Sequence, residues 1–284
     1  MPGPVAVVTD STSADAALAE RLGLVVVPLQ VVIGSRAYDE GTEIMPDAVA
    51  QALREKRSVS TSRPAPEAFL RTYARLTKQG AEAIVSIHLS GEVSGTYESA
   101  ELAAREDQVP VYPVDSRQLG MGTGFAIESA VAALAGGVSA EGAAEVARDR
   151  AARVTGLFYV DTLEYLRRGG RVGATAAFVG SALAVKPLLQ VEGGRIVPLE
   201  KVRTANKALV RLAELAVDAA VRTGAGGEVD IAVAHLANPE KADILARQLK
   251  ETIPRLGELV VTEVGAVIGA HVGPGMLAVV IAPR

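Results

Sequence analysis

No cysteine occurs among the 284 residues, so disulfide scaffolds, thiolate metal sites and cysteine nucleophiles are excluded together. Tryptophan is absent too, and aromatic residues make up only 4% of the chain. Hydrophobic residues nonetheless reach 49%, so the core must be built from Ala, Val, Leu and Ile, as in layered α/β proteins. Charge of one sign is equally scarce. The formal net charge is -4 and no long run of like charge occurs, which leaves no electrostatic footprint for nucleic acid or an anionic membrane surface. The opening MPGPVAVVTDS has neither the basic start nor the long apolar stretch of a signal peptide, and the expected location is the cytoplasm. The longest uncharged stretch, Val264 to Pro283, has 20 residues, nominally enough to cross a bilayer. Gly273, Pro274 and Gly275 interrupt it, so it reads as a loop feeding a buried strand, without membrane insertion.

What is present alternates in the first half between short β-branched runs and helical patterns, which predicts a mostly parallel sheet flanked by helices. Strands are expected at Val5 to Val8, Leu24 to Ile33, Ala83 to Leu89 and Val111 to Val114. Helices are expected at about 14–22, 46–56, 66–79, 97–105, 122–134 and 139–150. From Thr155 the pattern changes: Pro187 to Val191 and Arg195 to Val202 flank Glu192, Gly193 and Gly194 as a β-hairpin, so the second half is expected to hold a mixed or antiparallel sheet with helices. The reading is a two-lobed α/β protein with lobes at 1–152 and 153–284.

Three polar loops carry the candidate chemistry, because ligands of open α/β sheets bind where strands end and helices begin. The first is Ser60, Thr61, Ser62, Arg63 and Pro64; its hydroxyls suit either a helix cap or a ligand. The second is Ser90, Gly91, Glu92, Val93, Ser94, Gly95 and Thr96, where glycines let backbone N–H groups approach an anion at a helix start. The third is His271, Val272, Gly273, Pro274 and Gly275; the His is either a satisfied core residue or a donor to a carboxylate. Together they make a neutral polar clamp that fits a carboxylate better than a polyphosphate, since the clamp lacks Lys and the chain lacks a Walker A motif.

The order of these motifs resembles the DegV family along essentially the whole chain. Val8 to Thr12 is similar to its opening motif, Thr61, Ser62 and Pro64 to its T-S-x-P motif, and Ser90, Gly91, Ser94, Gly95 and Thr96 to S-G-x-x-S-G-T. Val114, Asp115 and Ser116 resemble its V-D-S motif, Arg167 to Arg171 its R-x-G-G-R stretch, and His271 to Gly275 its closing H-x-G-P-G. The resemblance implies a non-enzymatic carrier of a C16 to C18 fatty acid, with no further cofactor and no metal. It implies a carboxylate held by Thr61, Ser62, Ser94, Gly95 and His271 and an acyl chain running into the apolar interior. It also implies a partner, a separate fatty-acid kinase, with Arg171 and Arg203 in stretches that resemble those facing the kinase or an acyl phosphate. Two departures are visible: Leu89 stands where many relatives have a second Ser, and Ala65 replaces a common hydroxyl.

Three other readings stand beside this one, the simplest being a regulatory module that docks an acidic partner through the Arg167 to Arg171 loop. A serine-dependent hydrolase of lipid esters would pair Ser94 with His88, His235 or His271, although Ser94 sits in G-E-V-S-G and not in G-x-S-x-G. A nucleotide enzyme would use Gly120 to Gly124, a loose G-x-G-x-G match that also suits helix packing.

Overall fold

The computed structural model describes residues 4–172, 185–224 and 226–284; Met1, Pro2 and Gly3, part of the stretch read against a leader, lie outside it. In the first half, β1 (Val5–Asp10), β2 (Val25–Val27), β6 (Ala83–His88) and β7 (Val111–Asp115) form a parallel sheet in the order β2-β1-β6-β7. Both faces are covered. On one, Val7, Val85, Ile87 and Val114 pack against Ala-rich α5 (Met121–Ala135) and α6 (Ala140–Ala152). Ala126, Ala130, Ala140, Ala143, Ala144, Ala147 and Ala151 are small enough for these helices to lie close to the strands. On the other, Val8 and Ile84 meet Phe69 and Tyr73 of α3 (Pro66–Lys78) and Ala100 and Ala103 of α4 (Thr96–Ala104). Strands buried on both faces read as continuous apolar runs, which is why the sequence located them.

The second large sheet has the order β10-β9-β8-β13-β11-β12, from β8 (Thr155–Tyr159), the hairpin β9 (Lys186–Glu192) and β10 (Arg195–Val202), β11 (Val229–His235), β12 (Leu256–Glu263) and β13 (Leu277–Pro283). It is mixed: β11 and β12 are parallel and the other pairs antiparallel. Leu157, Tyr159, Leu188, Val229, Ile231, Val233, Leu277, Val279 and Ile281 face α8 (Ala205–Gly224) and α9 (Pro239–Thr252). Alternate residues, among them Phe158, Leu189, Ile196, Ala234 and Ala278, face the opposite way and join Leu166 of α7 (Glu164–Arg168) and Val272 of α10 (Ala266–Val272).

A third sheet, β4-β3-β5, is absent from the sequence reading. The run Leu24 to Ile33, expected as one strand, is broken at Pro28, whose ring fixes φ and removes a donor. Its first part is β2; its second, β3 (Gln30–Ile33), leaves the parallel sheet and pairs antiparallel with β4 (Arg36–Asp39) and β5 (Val59–Ser62). The Thr61–Ser62 segment, expected as a loop, is thus the end of a strand. This sheet packs on α2 (Pro46–Arg54) and α10 through Val31, Ile33, Val49, Leu53, Val59, Ala266, Val267 and Ala270. The Val264 to Pro283 stretch, expected as a loop and a strand, holds α10 before β13, so His271 rides on the last turn of a helix. No helix among the described residues is long and apolar enough to cross a membrane.

One buried ion pair fastens α6 to the mixed sheet. Arg150 Nη2 lies 2.8 Å from Asp230 Oδ2, and Asp230 Oδ1 also accepts from Glu258 N and Arg284 Nε, both at 2.8 Å. Removing one partner of such a pair leaves a desolvated charge, so Asp230→Ala is expected to lower the unfolding free energy by about 3–5 kcal/mol in denaturant titration. Arg284→Ala, at the exposed end of the same cluster, is expected to cost about 1 kcal/mol or less.

Candidate functional site

A cavity of about 940 Å³ lies where the C-terminal ends of the parallel strands, the three-stranded sheet, α10 and the apolar face of the mixed sheet meet. Its greasy wall includes Phe158, Leu166, Val191, Ile196, Met276 and Ala278. Its polar wall comes from the motif loops: Thr61, Ser62, Ser94, Gly95, Arg171 and His271 all border it. Residues far apart in the chain are therefore brought to one place. Arg203 is not among them; it is exposed on the bend between β10 and α8.

Thr61 and His271 touch, with Thr61 Oγ1 2.7 Å from His271 Nε2. The Nδ1 side of the ring lies flush on Gly169, where a Cβ would come within 2.3 Å of Nδ1, so the first glycine of the R-x-G-G-R stretch makes room for the imidazole. Gly273, at φ +75, ends α10 under the Tyr165 ring, where a Cβ would sit 2.2 Å from a ring carbon. Arg171 donates through Nε to Val93 O at 3.1 Å and through Nη1 to Gly169 O at 2.5 Å, clasping the 90–96 loop to the α7 end. Burial, with the Arg171 charge beside it, pushes the His271 pKa from 6.5 down to about 4, so the imidazole is neutral at physiological pH.

Ser94 Oγ is 2.8 Å from Thr96 Oγ1 at the start of α4, and Gly95 precedes that helix without a side-chain cap. The first N–H groups of α4 thus give this end of the cavity a favourable environment for negative charge. Ser62 Oγ donates to Gln30 Oε1 at 3.3 Å. Ser90 takes no part in the wall: its hydroxyl donates to Gly194 O of the β9–β10 turn at 2.7 Å. Leu89, the departure from the family pattern, is buried and lines the cavity. Arg63, also at the wall, reaches over Gly95 to its carbonyl at 3.1 Å and to Glu98 at 2.7 Å.

Two lining groups were not marked by sequence reasoning. Glu40 is buried and bridges Ser11 Oγ (2.5 Å) and the Val267 N–H (2.7 Å) in the first turn of α10. Desolvation raises its pKa above the usual carboxyl range despite the lowering effect of those two donors. Gly265 must lack a Cβ, which would lie 2.4 Å from Glu40 Oε1. No element or role is assigned to residues 34–45 from the sequence, so nothing local marks this carboxyl. Ser11 stands inside the opening motif, in a polar cluster suited by sequence to capping the next helix; in the structure its hydroxyl donates to Glu40 instead.

The rival chemistries find different geometry. Ser94 is hydrogen-bonded to Thr96, while His271 engages Thr61 and His88 engages Ser86 and Asp10. In the Gly120 to Gly124 run, a Cβ on Gly122 would meet Gln118 at 3.0 Å, and one on Gly124 would meet Met121 Sδ at 3.0 Å and Ser13 O at 3.3 Å. These glycines serve close helix packing. Among the described residues, no group of three or more His, Cys, Asp or Glu side chains is placed to hold a metal ion.

The model for the DegV family, described as "Uncharacterised protein, DegV family", matches residues 4–284. The chain belongs to the DegV family. A DegV domain-containing protein of Streptomyces coelicolor is 57% identical over 282 residues, 99% of each chain. Among solved structures, a DegV protein of Thermus thermophilus described by its fatty acid binding superposes with a TM-score of 0.90 at 33% identity, covering 99% of this chain and all of the other. DegV of Bacillus subtilis, described as a fatty acid binding protein, gives a TM-score of 0.89 at 34% identity and the same coverage. The mixed α/β architecture expected from the sequence is the DegV fold.

The His271 environment sets a pH dependence. Because its pKa is depressed on folding, the unfolded chain binds the proton first, and stability falls as pH drops from about 6.5 toward about 4. His271→Gln, which cannot take up that proton, is expected to flatten this part of the Tm-versus-pH curve. An unchanged slope between those pH values would show that His271 does not titrate there.

Proposed function

We propose that this DegV protein is a non-enzymatic carrier that holds one long-chain fatty acid, with the carboxylate at Thr61, Ser62, Ser94, Gly95 and His271 and the acyl chain in the apolar cavity. The observation that carries this reading is that all five residues border a single cavity of about 940 Å³ whose remaining wall is largely apolar. That volume lies at the upper end of the usual range for small-molecule sites, about 300–1,000 Å³. The kinship with solved DegV proteins described as fatty acid binding supports the choice of ligand.

The chemistry divides cleanly. Burying a methylene is worth about 0.8 kcal/mol, so sixteen carbons make on the order of 10 kcal/mol available before ordering costs. The polar end then sets orientation. With His271 neutral and protonated on Nε2, the ring donates to Thr61 Oγ1, which leaves the Thr61 hydroxyl proton for the carboxylate. Ser94 and the N-terminus of α4 add further donors, and Arg171, bonded to Val93 O of the same loop, adds a positive charge. The two proposed lobes, 1–152 and 153–284, both contribute residues to the cavity wall, which supports a ligand held between them.

The finer part of the proposal is that the loaded protein presents its acyl carboxylate to a separate fatty-acid kinase. Arg171 at the cavity wall and exposed Arg203 are the cations assigned to that encounter. The second reading, an ester hydrolase acting through Ser94, is tested by the same material.

Mass spectrometry of an organic extract of the purified protein is expected to find a C16 to C18 fatty acid at about one per chain. The double variant Ser62→Ala, Ser94→Ala is expected to stay folded and lose affinity for palmitate by about tenfold or more, as for two lost hydrogen bonds to a charged group. Full lipid occupancy in that variant would refute the head-group assignment. Stoichiometric labelling of Ser94 by a serine-reactive phosphonate would replace the carrier by the hydrolase.

A further inference from the structure

The opening motif and the V-D-S motif each contribute an aspartate, Asp10 and Asp115, that does not border the cavity. Both stand at the ends of strands that flank β6, and both point at the loop leaving β6, the one that carries Ser94 and Gly95. Asp10 is completely buried. Its Oδ1 accepts from Thr12 N at 3.1 Å, Thr12 Oγ1 at 2.5 Å and Ser13 Oγ at 3.4 Å. Its Oδ2 accepts from Leu89 N at 3.0 Å and from His88 Nδ1 at 3.1 Å. One carboxylate thus ties two cavity-lining segments, 11–13 and 89–95, to each other.

His88 is held in turn. Its Nε2 is 2.7 Å from Ser86 Oγ, which is 2.8 Å from the Tyr73 hydroxyl, and the Phe69 ring meets the imidazole edge-on at 5.1 Å between centroids. All of these groups are buried. Burial alone would raise the Asp10 pKa, but the hydrogen bond and charge of His88, with the Thr12 hydroxyl and the Leu89 amide, hold it below the ordinary value. Across the loop, Asp115 Oδ1 accepts from Gly91 N at 3.1 Å and Arg117 N at 2.8 Å. A Cβ on Gly91 would lie 3.0 Å from Asp115 Oδ2, so the glycine allows this approach. The loop is therefore gripped at residue 89 from one side and at residue 91 from the other, three to five residues before Ser94.

We propose that Asp10 and Asp115 are positioning residues for the head-group site, a pair of carboxylates that sets the register of the 89–95 loop so that Ser94 and the start of α4 meet the ligand's carboxylate. The proposal rests on the carrier reading above. Buried, fully hydrogen-bonded networks of this kind rigidify what they hold, and a site preorganised in this way pays less to bind an anion.

The test compares palmitate with hexadecanol, which shares the chain and lacks the carboxylate, by competition against a fluorescent acyl probe on delipidated full-length protein. For the unaltered protein, a clear preference for the acid is expected. Asp10→Asn and Asp115→Asn are each expected to reduce that preference by about tenfold while hexadecanol binds as before. Asp115 is only partly buried, so its variant keeps the experiment decisive should Asp10→Asn fail to fold. An unchanged acid-to-alcohol ratio, or equal weakening of both ligands, would overturn the positioning role and leave only a scaffold. An unaltered protein that binds acid and alcohol equally would instead sink the carboxylate site itself, and the proposal with it.

Discussion

The structure depends on a six-stranded sheet that is apolar on both faces. One face is satisfied by α8 and α9, whose alanines and leucines pack directly on it. The other, with Phe158, Ile196, Ala234, Met276 and Ala278, borders a cavity instead. An apolar void of this size would be costly as empty space, because its lining forfeits dispersion contacts. A flexible hydrocarbon restores those contacts without the jigsaw fit that a protein core demands. A hydrocarbon held there would share one hydrophobic core with the protein, and the low aromatic content leaves a wall of small and branched side chains around the cavity.

At one end of that core the wall turns polar. The groups there already have partners: a hydroxyl touching an imidazole, a second hydroxyl at a helix start, and a guanidinium fixed by two carbonyls. A negative ligand there would meet dipoles oriented in advance. The neutral clamp anticipated from the sequence omits Arg171, whose charge stands at the same wall and contributes to keeping His271 unprotonated.

How much of this was legible varies with the physics behind each element. Strands β1 and β6 announced themselves because burial on both faces leaves an unbroken apolar run. The β9–β10 hairpin was visible through Gly193 and Gly194, both at positive φ. The three-stranded sheet was not, because β3 continues the apolar run of β2 across Pro28, and Ser60, Thr61 and Ser62 of β5 read as a loop whose hydroxyls suit a cap or a ligand. Helix α10 was hidden by its glycine and by the Gly-Pro-Gly turn that follows. Around the cavity, the segments bearing Ser94 and His271 could be picked out by residue type and order, whereas Glu40 could not. Its burial is created by Ser11 and Val267, which are distant in sequence, so no local window contains the reason for it.

Helix α10 is seven residues long, about 10 Å end to end. Glu40 grips its first turn, and Thr61 meets the imidazole on its last. Those two anchors belong to the same small sheet, β4-β3-β5 and the residue just beyond β4, so the helix works as a strut pinned at both ends to one plate. A strut held in this way ties the placement of its two ends together: the imidazole at one end and the carboxyl at the other, both at the cavity wall, are fixed relative to the same three strands.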